Sequence, residues 1–357
     1  MPMFEQYLSV VGRGVRAFLN LEAGVTRADA APPGPLRVEL ERQLGEAHQE
    51  LAELRARPTT SDANTEASRI KPENVVWIFG SRKTGSTWLS WMLGELEGHT
   101  LWREPYVGEL FGRLYYDWDN WVGEKHFESK HFILGESQRG SWLRSIRSFV
   151  LSEATARFPG VANEGYLTIK EPNGSVGAPL LMEALPESRM IFLVRDPRDV
   201  AASVLDAFKK GSYMHEQRKS DRHAAMFEMQ ADDLVKVVAT DYLRNVGNTR
   251  EAYKAHAGRK VFVRYEDLRR NPSETMKRLC SALGIGVEES ELERAVQKHS
   301  WENIPEEEKG GGRFHRKATP GGWREDLTLE QARIVEGITA SLLEKLYPHE
   351  VMSEGRL

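Results

Sequence analysis

Residues 74–88, Asn-Val-Val-Trp-Ile-Phe-Gly-Ser-Arg-Lys-Thr-Gly-Ser-Thr-Trp, decide the fold. The apolar, β-branched run Val75–Phe79 predicts a strand over 74–80 that is buried on both faces. Gly80 ends it and a short polar turn follows. Ser86 and Thr87 then open a helix that continues through Trp88, Leu89, Met92 and Leu93 at helical spacing. Strand, glycine-bearing loop and helix N-terminus form an arrangement that cradles phosphate, because free backbone N–H groups and the positive end of the helix dipole converge on the anion.

The position of the lysine narrows the chemistry. A nucleoside-triphosphate P-loop reads GxxxxGK[ST], and Gly80 and Gly85 keep that separation, but Ser86 stands where the lysine belongs. The cation lies inside the loop as Lys83, beside Arg82, where it is expected to reach the bridging region of a diester-like anion. Thr84, Gly85, Ser86 and Thr87 are small enough for the backbone to close on oxygen atoms. An ordinary Gly/Ser/Thr-rich βα turn is the competing reading of this stretch alone.

Two further stretches point the same way. Met190–Val194 reads as a buried strand followed by Arg195-Asp196-Pro197-Arg198-Asp199 and a helix. Asp196 suits an N-cap, Pro197 the first helical position, and Asp199 the positive helix end. Arg195 at the strand lip and Ser203 eight residues on offer an arginine fork and a hydroxyl, which together suit a dianionic phosphate. The alternative is that Arg195 pairs only with Asp199. Late in the chain, residues 310–324 (Gly-Gly-Gly-Arg-Phe-His-Arg-Lys-Ala-Thr-Pro-Gly-Gly-Trp-Arg) read as a mobile cationic loop without a core face, able to fold over an anion.

Taken in order, these stretches resemble the sulfotransferases that use 3′-phosphoadenosine 5′-phosphosulfate (PAPS), over roughly Asn74 to Tyr347. Arg82-Lys83-Thr84-Gly85-Ser86-Thr87-Trp88 is similar to that family's 5′-phosphosulfate loop PKSGTTW. Arg195 and Ser203 match its 3′-phosphate pair, and Arg316-Lys317-Ala318-Thr319-Pro320-Gly321-Gly322-Trp323 resembles its RKGxxGDW loop. The resemblance also implies that Trp88 stacks on adenine, that Tyr265 in Tyr265-Glu266-Asp267-Leu268 contacts the adenine side, and that Trp301 is a second aromatic there. Core packing is the alternative for Tyr265 and Trp301. Three departures are visible: Ala318 replaces a glycine, Gly322 an aspartate, and Arg82 a proline common in cytosolic members.

The resemblance implies sulfuryl transfer from PAPS to an acceptor hydroxyl or amine. Such transfer needs a cation at the leaving oxygen, donors to the equatorial oxygens and a base for the acceptor proton. Lys83 is expected at the leaving oxygen, restrained by Ser203 until acceptor binds, and Lys170 is expected at transition-state charge. Glu104, just beyond the helix after the loop, matches the glutamate base of protein-tyrosine and several bacterial members. Glu171, at the end of the strand 166–170, is the alternative base, or else a salt-bridge partner that orients a basic side chain. No metal is expected, since there is no Cys/His cluster or HExxH spacing. A P-loop kinase would need the lysine that Ser86 displaces and a magnesium-binding aspartate. A non-catalytic adenosine 3′,5′-bisphosphate-binding assembly protein is the remaining reading.

The whole chain bounds the rest. Its 357 residues suit one large core with an appendage, and 49 Lys+Arg against 53 Asp+Glu give a net charge of −4. That balance provides no global basic field for nucleic acid. The single cysteine, Cys280, reads as a core residue of an amphipathic helix, and no apolar run reaches spanning length; together these suggest a cytoplasmic protein. Residues 1–70 form an extension. Phe4, Leu8, Val11, Val15 and Phe18 make an apolar stripe within residues 3–20 for docking or membrane-surface contact. After Pro32-Pro33-Gly34-Pro35, a heptad pattern at Leu40, Leu44, Ala47, Leu51 and Leu54 suits a short coiled coil and a homodimer. Pro58–Arg69 reads as linker.

The domain over 71–350 is expected to be α/β and three-layered. Strands at 74–80, 166–170, 189–194 and 260–264 would form a mostly parallel sheet with helices on both faces and ligands at the strands' C-terminal ends. The aromatic-rich stretch 105–165 (Tyr106, Phe111, Tyr115, Tyr116, Trp118, Trp121, Phe127, Phe132, Trp142) falls where the family builds its acceptor cleft, suiting a glycan or small molecule, or else forms its own core. A charged insertion at about 207–240 reads as a lid or partner surface, with His215 and His223 exposed.

Overall fold

The computed structural model describes residues 70–116, 131–161, 165–216 and 225–347. The N-terminal stripe, heptad segment and linker lie outside the described residues, as do Trp118, Trp121, Phe127 and His223. In chain order the elements are β1 (Val75–Phe79), α1 (Ser86–Gly94), β2 (His99–Arg103), α2 (Val107–Tyr116), α3 (Arg139–Arg157), β3 (Tyr166–Lys170), α4 (Ala178–Ala184), β4 (Arg189–Val194) and α5 (Pro197–Ala207). There follow α6 (Tyr213–Glu216), α7 (Ala231–Ala255), β5 (Lys260–Arg264), α8 (Tyr265–Arg270), α9 (Pro272–Leu283), α10 (Glu289–Lys298), α11 (Trp323–Asp326) and α12 (Leu329–Leu346).

The five strands pair in parallel in the order β2-β3-β1-β4-β5. All five residues of the central strand β1 are buried, and their alternation sorts them onto two faces. Val75, Trp77 and Phe79 enter one core with β4, α3, α4, α7 and α12, whereas Val76 and Ile78 enter another with α1, α9 and α10. Two covered faces make this a three-layer α/β fold. Cys280 is buried in the second core, on α9.

One strand escaped the sequence reading. His99–Arg103 pairs along β3 as an edge strand, in register from His99↔Tyr166 to Arg103↔Lys170. Its side chains are half-buried or exposed, so it lacks the continuous apolar run that marks β1 and β4. Its importance is positional, because it carries the chain to Glu104 beside the end of β3. The Glu104 N–H donates to the Lys170 carbonyl at 2.8 Å, extending that pairing by one bond.

Two close approaches explain where β1 hands over to its loop. A Cβ on Gly80 would lie 2.0 Å from the Leu193 carbonyl oxygen of β4. Gly85, at φ +85, caps α1, and a Cβ there would lie 2.6 Å from the Tyr265 ring.

Candidate active site

The loop after β1, the starts of α5 and α8 and the 310–324 segment meet at the carboxyl edge of the sheet, around two adjoining cavities. One, of about 230 Å³, has Trp88, Trp301, Tyr265, Arg195, Ser203, Arg316 and Lys317 in its wall. The other, of about 340 Å³, is lined by Arg82, Glu104, Tyr106, Lys170, Asn173 and Tyr213 among others. Lys83, Ser86, Thr87 and Phe314 line both. We refer to them as the Arg195 cavity and the Glu104 cavity.

Arg195 leaves β4 and stacks its guanidinium 4.4 Å from the centre of the Tyr265 ring, while Nη1 donates to the Lys83 carbonyl at 3.2 Å. Its nearest approach to Asp199 is 3.9 Å, so it is not committed to that carboxylate. Asp199 instead accepts the N–H groups of Gly321 (2.8 Å) and Trp323 (2.9 Å), pinning the late segment to the start of α5. Asp196 caps α5 by accepting from the Arg198 N–H at 2.8 Å.

The 310–324 segment differs from the free cationic loop read in the sequence. Trp323 is buried against Ala202 and Ala332, which supplies the core face that glycine-rich composition hid. Gly312 N–H donates to Asp206 at 2.7 Å, and Arg269 donates to the Ala318 carbonyl at 3.1 Å. Arg316 pairs with Asp326 at 2.6 Å, and Lys317 with Glu325 and Asp326. Even so, Arg195 Nε and Arg316 Nη2 are buried without a hydrogen-bond partner among the described residues. Buried donors of this kind call for an acceptor.

Lys83 occupies the junction of the cavities, in left-handed backbone at φ +62. Burial, with the neighbouring cations of Arg82 and Arg195, lowers its pKa to about 8. Its ammonium donates to the Tyr213 hydroxyl and sits 4.8 Å from that ring's centre. In this structure the partner of the ammonium is Tyr213, a residue of the 207–240 insertion, while Ser203 stands in the wall of the Arg195 cavity. Nothing in local sequence marked it, since α6 reaches Lys83 only through the tertiary fold. The Thr84 side chain is fully buried, its hydroxyl donating to the Ser81 carbonyl at 2.7 Å, and it lines neither cavity.

In the Glu104 cavity the Glu104 carboxylate accepts from the Lys170 ammonium, from Asn173 Nδ2 at 3.1 Å and from the Tyr106 hydroxyl at 3.1 Å. Lys170 also donates to Thr87 Oγ1 at 3.1 Å, linking the carboxylate to the β1 loop. Glu171 is only 1% exposed and lines neither cavity. Its oxygens accept the N–H groups of Tyr106 (3.1 Å) and Gly108 (3.2 Å) at the start of α2. It makes no ion pair among the described residues, and burial pushes its pKa up to about 8 against the pull of those two donors.

The remaining walls of this cavity include Glu109 and Arg113 from α2, Phe208, Met214 and Met226 from the 207–240 stretch, and Asp241, Arg244 and Asn245 from α7. Most of the described 105–165 aromatics, including Phe111, Tyr115, Tyr116, Phe132 and Trp142, pack into the core instead. His215 is half-buried, edge-on to Phe227, and not exposed as expected. The sequence reading also missed Trp91, Arg269, His299 and His315 in the Arg195 cavity. Among the described residues no group of three His, Cys, Asp or Glu could hold a metal ion, and no helix is long and apolar enough to cross a membrane.

The family model "Sulfotransferase domain" matches residues 73–347. Cytosolic sulfotransferase 16 of Arabidopsis thaliana is 27% identical over 190 residues, covering 47% of this chain and 53% of its own length. Carbohydrate sulfotransferase 1 of Danio rerio is 26% identical over 155 residues, covering 43% and 36%. The chain thus spans about half the length, or less, of these curated relatives. Among solved structures, mouse sulfotransferase SULT7A1 complexed with PAP has a TM-score of 0.48 at 16% identity, covering 78% of this chain and 88% of that one. Sulfotransferase STF9 from Mycobacterium avium has 0.48 at 15% identity, covering 95% and 93%. With its β1 loop, its Arg195 helix and its late Trp323 segment all inside the matched range, the chain belongs to the sulfotransferase domain family.

Proposed function

We propose that this protein moves the sulfuryl group of PAPS, by in-line displacement, to a hydroxyl or amine of a glycan or small-molecule acceptor. The supporting observation is the shared wall. A cavity suited to a doubly phosphorylated adenylate and a cavity holding a carboxylate meet at Lys83, Ser86, Thr87 and Phe314. When bound, PAPS would supply a sulfuryl group already activated by its link to phosphate.

The residues present fit such a group. The buried, unpartnered Arg195 Nε and Arg316 Nη2 provide donors for the 3′-phosphate, with Ser203 and Lys317 in the same wall. Trp88 and Trp301 offer ring faces for the adenine, and Tyr265 backs Arg195 and Gly85. The β1 loop, through Arg82, Lys83, Gly85, Ser86 and Thr87, offers backbone and side-chain donors at the start of α1. Lys83 would set its ammonium against the charge that a leaving oxygen gains, and Lys170 adds a second cation, bonded to Thr87. Glu104 faces the other cavity as the group that takes the acceptor's proton, its carboxylate oriented by Lys170, Asn173 and Tyr106.

Two measurements test this reading. Adenosine 3′,5′-bisphosphate should raise the melting temperature without added metal, and more than ATP does with or without magnesium. With sulfur-labelled PAPS and an acceptor panel, Glu104→Gln should keep the bisphosphate-induced shift and lose about 10²–10⁴-fold in turnover. A fully active Glu104→Gln enzyme would remove Glu104 from the mechanism.

A further inference from the structure

We infer that Glu171 is a positioning residue. Its buried carboxyl group fixes the backbone corner Glu104-Pro105-Tyr106 and so sets the direction in which Glu104 faces the cavity. The inference rests on the proposed role of Glu104 as the base.

The corner is an unusual piece of chain. Glu104 and Tyr106 both have left-handed backbone, at φ +50 and φ +60, although neither is glycine, and Pro105 between them has no N–H to donate. Residues persist in such conformations only where the surroundings over-determine them. Here Glu171 supplies the restraint. Oε2 receives the Tyr106 N–H at 3.1 Å and Oε1 receives the Gly108 N–H at 3.2 Å, one oxygen for each. The first N–H groups of a helix have no acceptor within the helix, so these two would otherwise be orphaned at the entrance to α2. The side chain of Glu104 is held separately by the preceding residue of the same strand end, Lys170. Lys170 therefore holds Glu104 at both its carboxylate and its backbone N–H, and Glu171 holds the turn that follows through the N–H groups of Tyr106 and Gly108.

Glycines make room for this device. A Cβ on Gly174 would lie 1.9 Å from Glu171 Oε1, and a Cβ on Gly108 would lie 2.1 Å from the Gly174 carbonyl oxygen. Glu171 itself lines neither cavity, which separates its role from contact with acceptor.

Glu171→Gln keeps the size of the side chain but replaces one accepting oxygen by an amide N–H₂, which cannot accept the N–H it faces, whichever protonation state the wild-type carboxyl group holds. Gly174→Ala keeps the carboxyl group and displaces it. Each variant is expected to lower kcat about 10–100-fold, since small misplacements of reacting groups cost that much. Affinity for adenosine 3′,5′-bisphosphate should stay within about twofold of wild type, and the acid limb of the pH–rate profile should remain. Wild-type kcat in both folded variants overturns the inference. So does a Glu171→Gln enzyme as inactive as Glu104→Gln with its acid limb gone, because Glu171 would then be the base. Amide exchange in the wild-type protein gives a readout independent of turnover and of whether the variants fold. Tyr106 and Gly108 N–H should be protected, and exchange at the rate of an open helix start overturns the hold. Absence of any labelled product from wild type would instead defeat the proposed function, while the exchange result still decides what Glu171 grips.

Discussion

The Arg195 cavity and the Glu104 cavity share Lys83 but are assembled differently. The first takes its walls from segments that follow β1, β4 and β5 and, in almost equal part, from the 298–318 stretch late in the chain. The second takes the ends of β1, β2 and β3, through Lys83, Glu104 and Lys170 among others, and adds residues of α2, α5, α6 and α7. Parallel sheets present ligands at strand C-termini, so the strand-end part of each wall is built into the topology, and what differs is the part added to it: a late segment in one cavity, helices in the other.

Lys83→Ala tests the junction and should have the largest effect. If Lys83 carries charge at the leaving oxygen, turnover should fall about 10²–10³-fold, the usual cost of removing one such donor, while bisphosphate affinity weakens less. Steady-state kinetics and calorimetric titration on the same preparation separate the two. Equal losses in both would mean that Lys83 only binds and that the two halves are not joined there.

The same contrast governs what could be read from sequence. Strand runs, the Gly80–Gly85 spacing, the Asp196 cap and the Arg195/Ser203 interval are local patterns, and β1, β3, β4 and β5 fall where those patterns place them. Glu104 was located by resemblance, but the edge strand that delivers it was not, because its side chains are only partly buried. Tyr213 at Lys83 and the two N–H groups held by Glu171 depend on tertiary placement with no periodic signal. The late segment misled because composition alone cannot show that Asp199 and Asp206 fasten its glycines.

Arg195→Ala probes a strand-end residue of the Arg195 cavity. Removing a charge-assisted bond to an anion costs about 1.5–3 kcal/mol, or roughly 10–150-fold in bisphosphate affinity. The Lys83 carbonyl also loses its donor, so kcat should fall too, but by less than in Lys83→Ala. An affinity unchanged within twofold would show that the unpartnered Arg195 nitrogen faces no ligand.

Proton uptake sharpens the junction further. In the free protein burial lowers Lys83 to about pKa 8, so its charged form weakens the fold below that pH, and this cost fades as pH rises toward its ordinary value. A bound dianion reverses the preference and raises the pKa. Above about pH 8 binding must then take up a proton, and the bisphosphate dissociation constant should rise with pH, by at most about tenfold per unit. Titration calorimetry between pH 6.5 and 9.5 (a window set about that pKa) reads this directly, and Lys83→Met should flatten the slope. A flat wild-type profile would mean that the anion does not approach the ammonium.

The smallest expected effect concerns backbone. Ala318, in the Arg195 cavity, has φ +50 where the family resemblance predicts glycine, and its carbonyl is held by Arg269 at 3.1 Å. Left-handed backbone costs an L-residue about 1–2 kcal/mol, whereas glycine adopts it freely but loses about 0.5–1 kcal/mol more chain entropy on folding. Ala318→Gly should therefore stabilise the free protein by up to about 1 kcal/mol, a rise of about 2 °C in melting temperature. The sign distinguishes this site from Gly85, where the reverse change would drive a Cβ into the Tyr265 ring. A lowered melting temperature for Ala318→Gly would show that the alanine methyl makes contacts worth more than its strain. The late segment would then owe its shape to packing as well as to the two aspartates that anchor it.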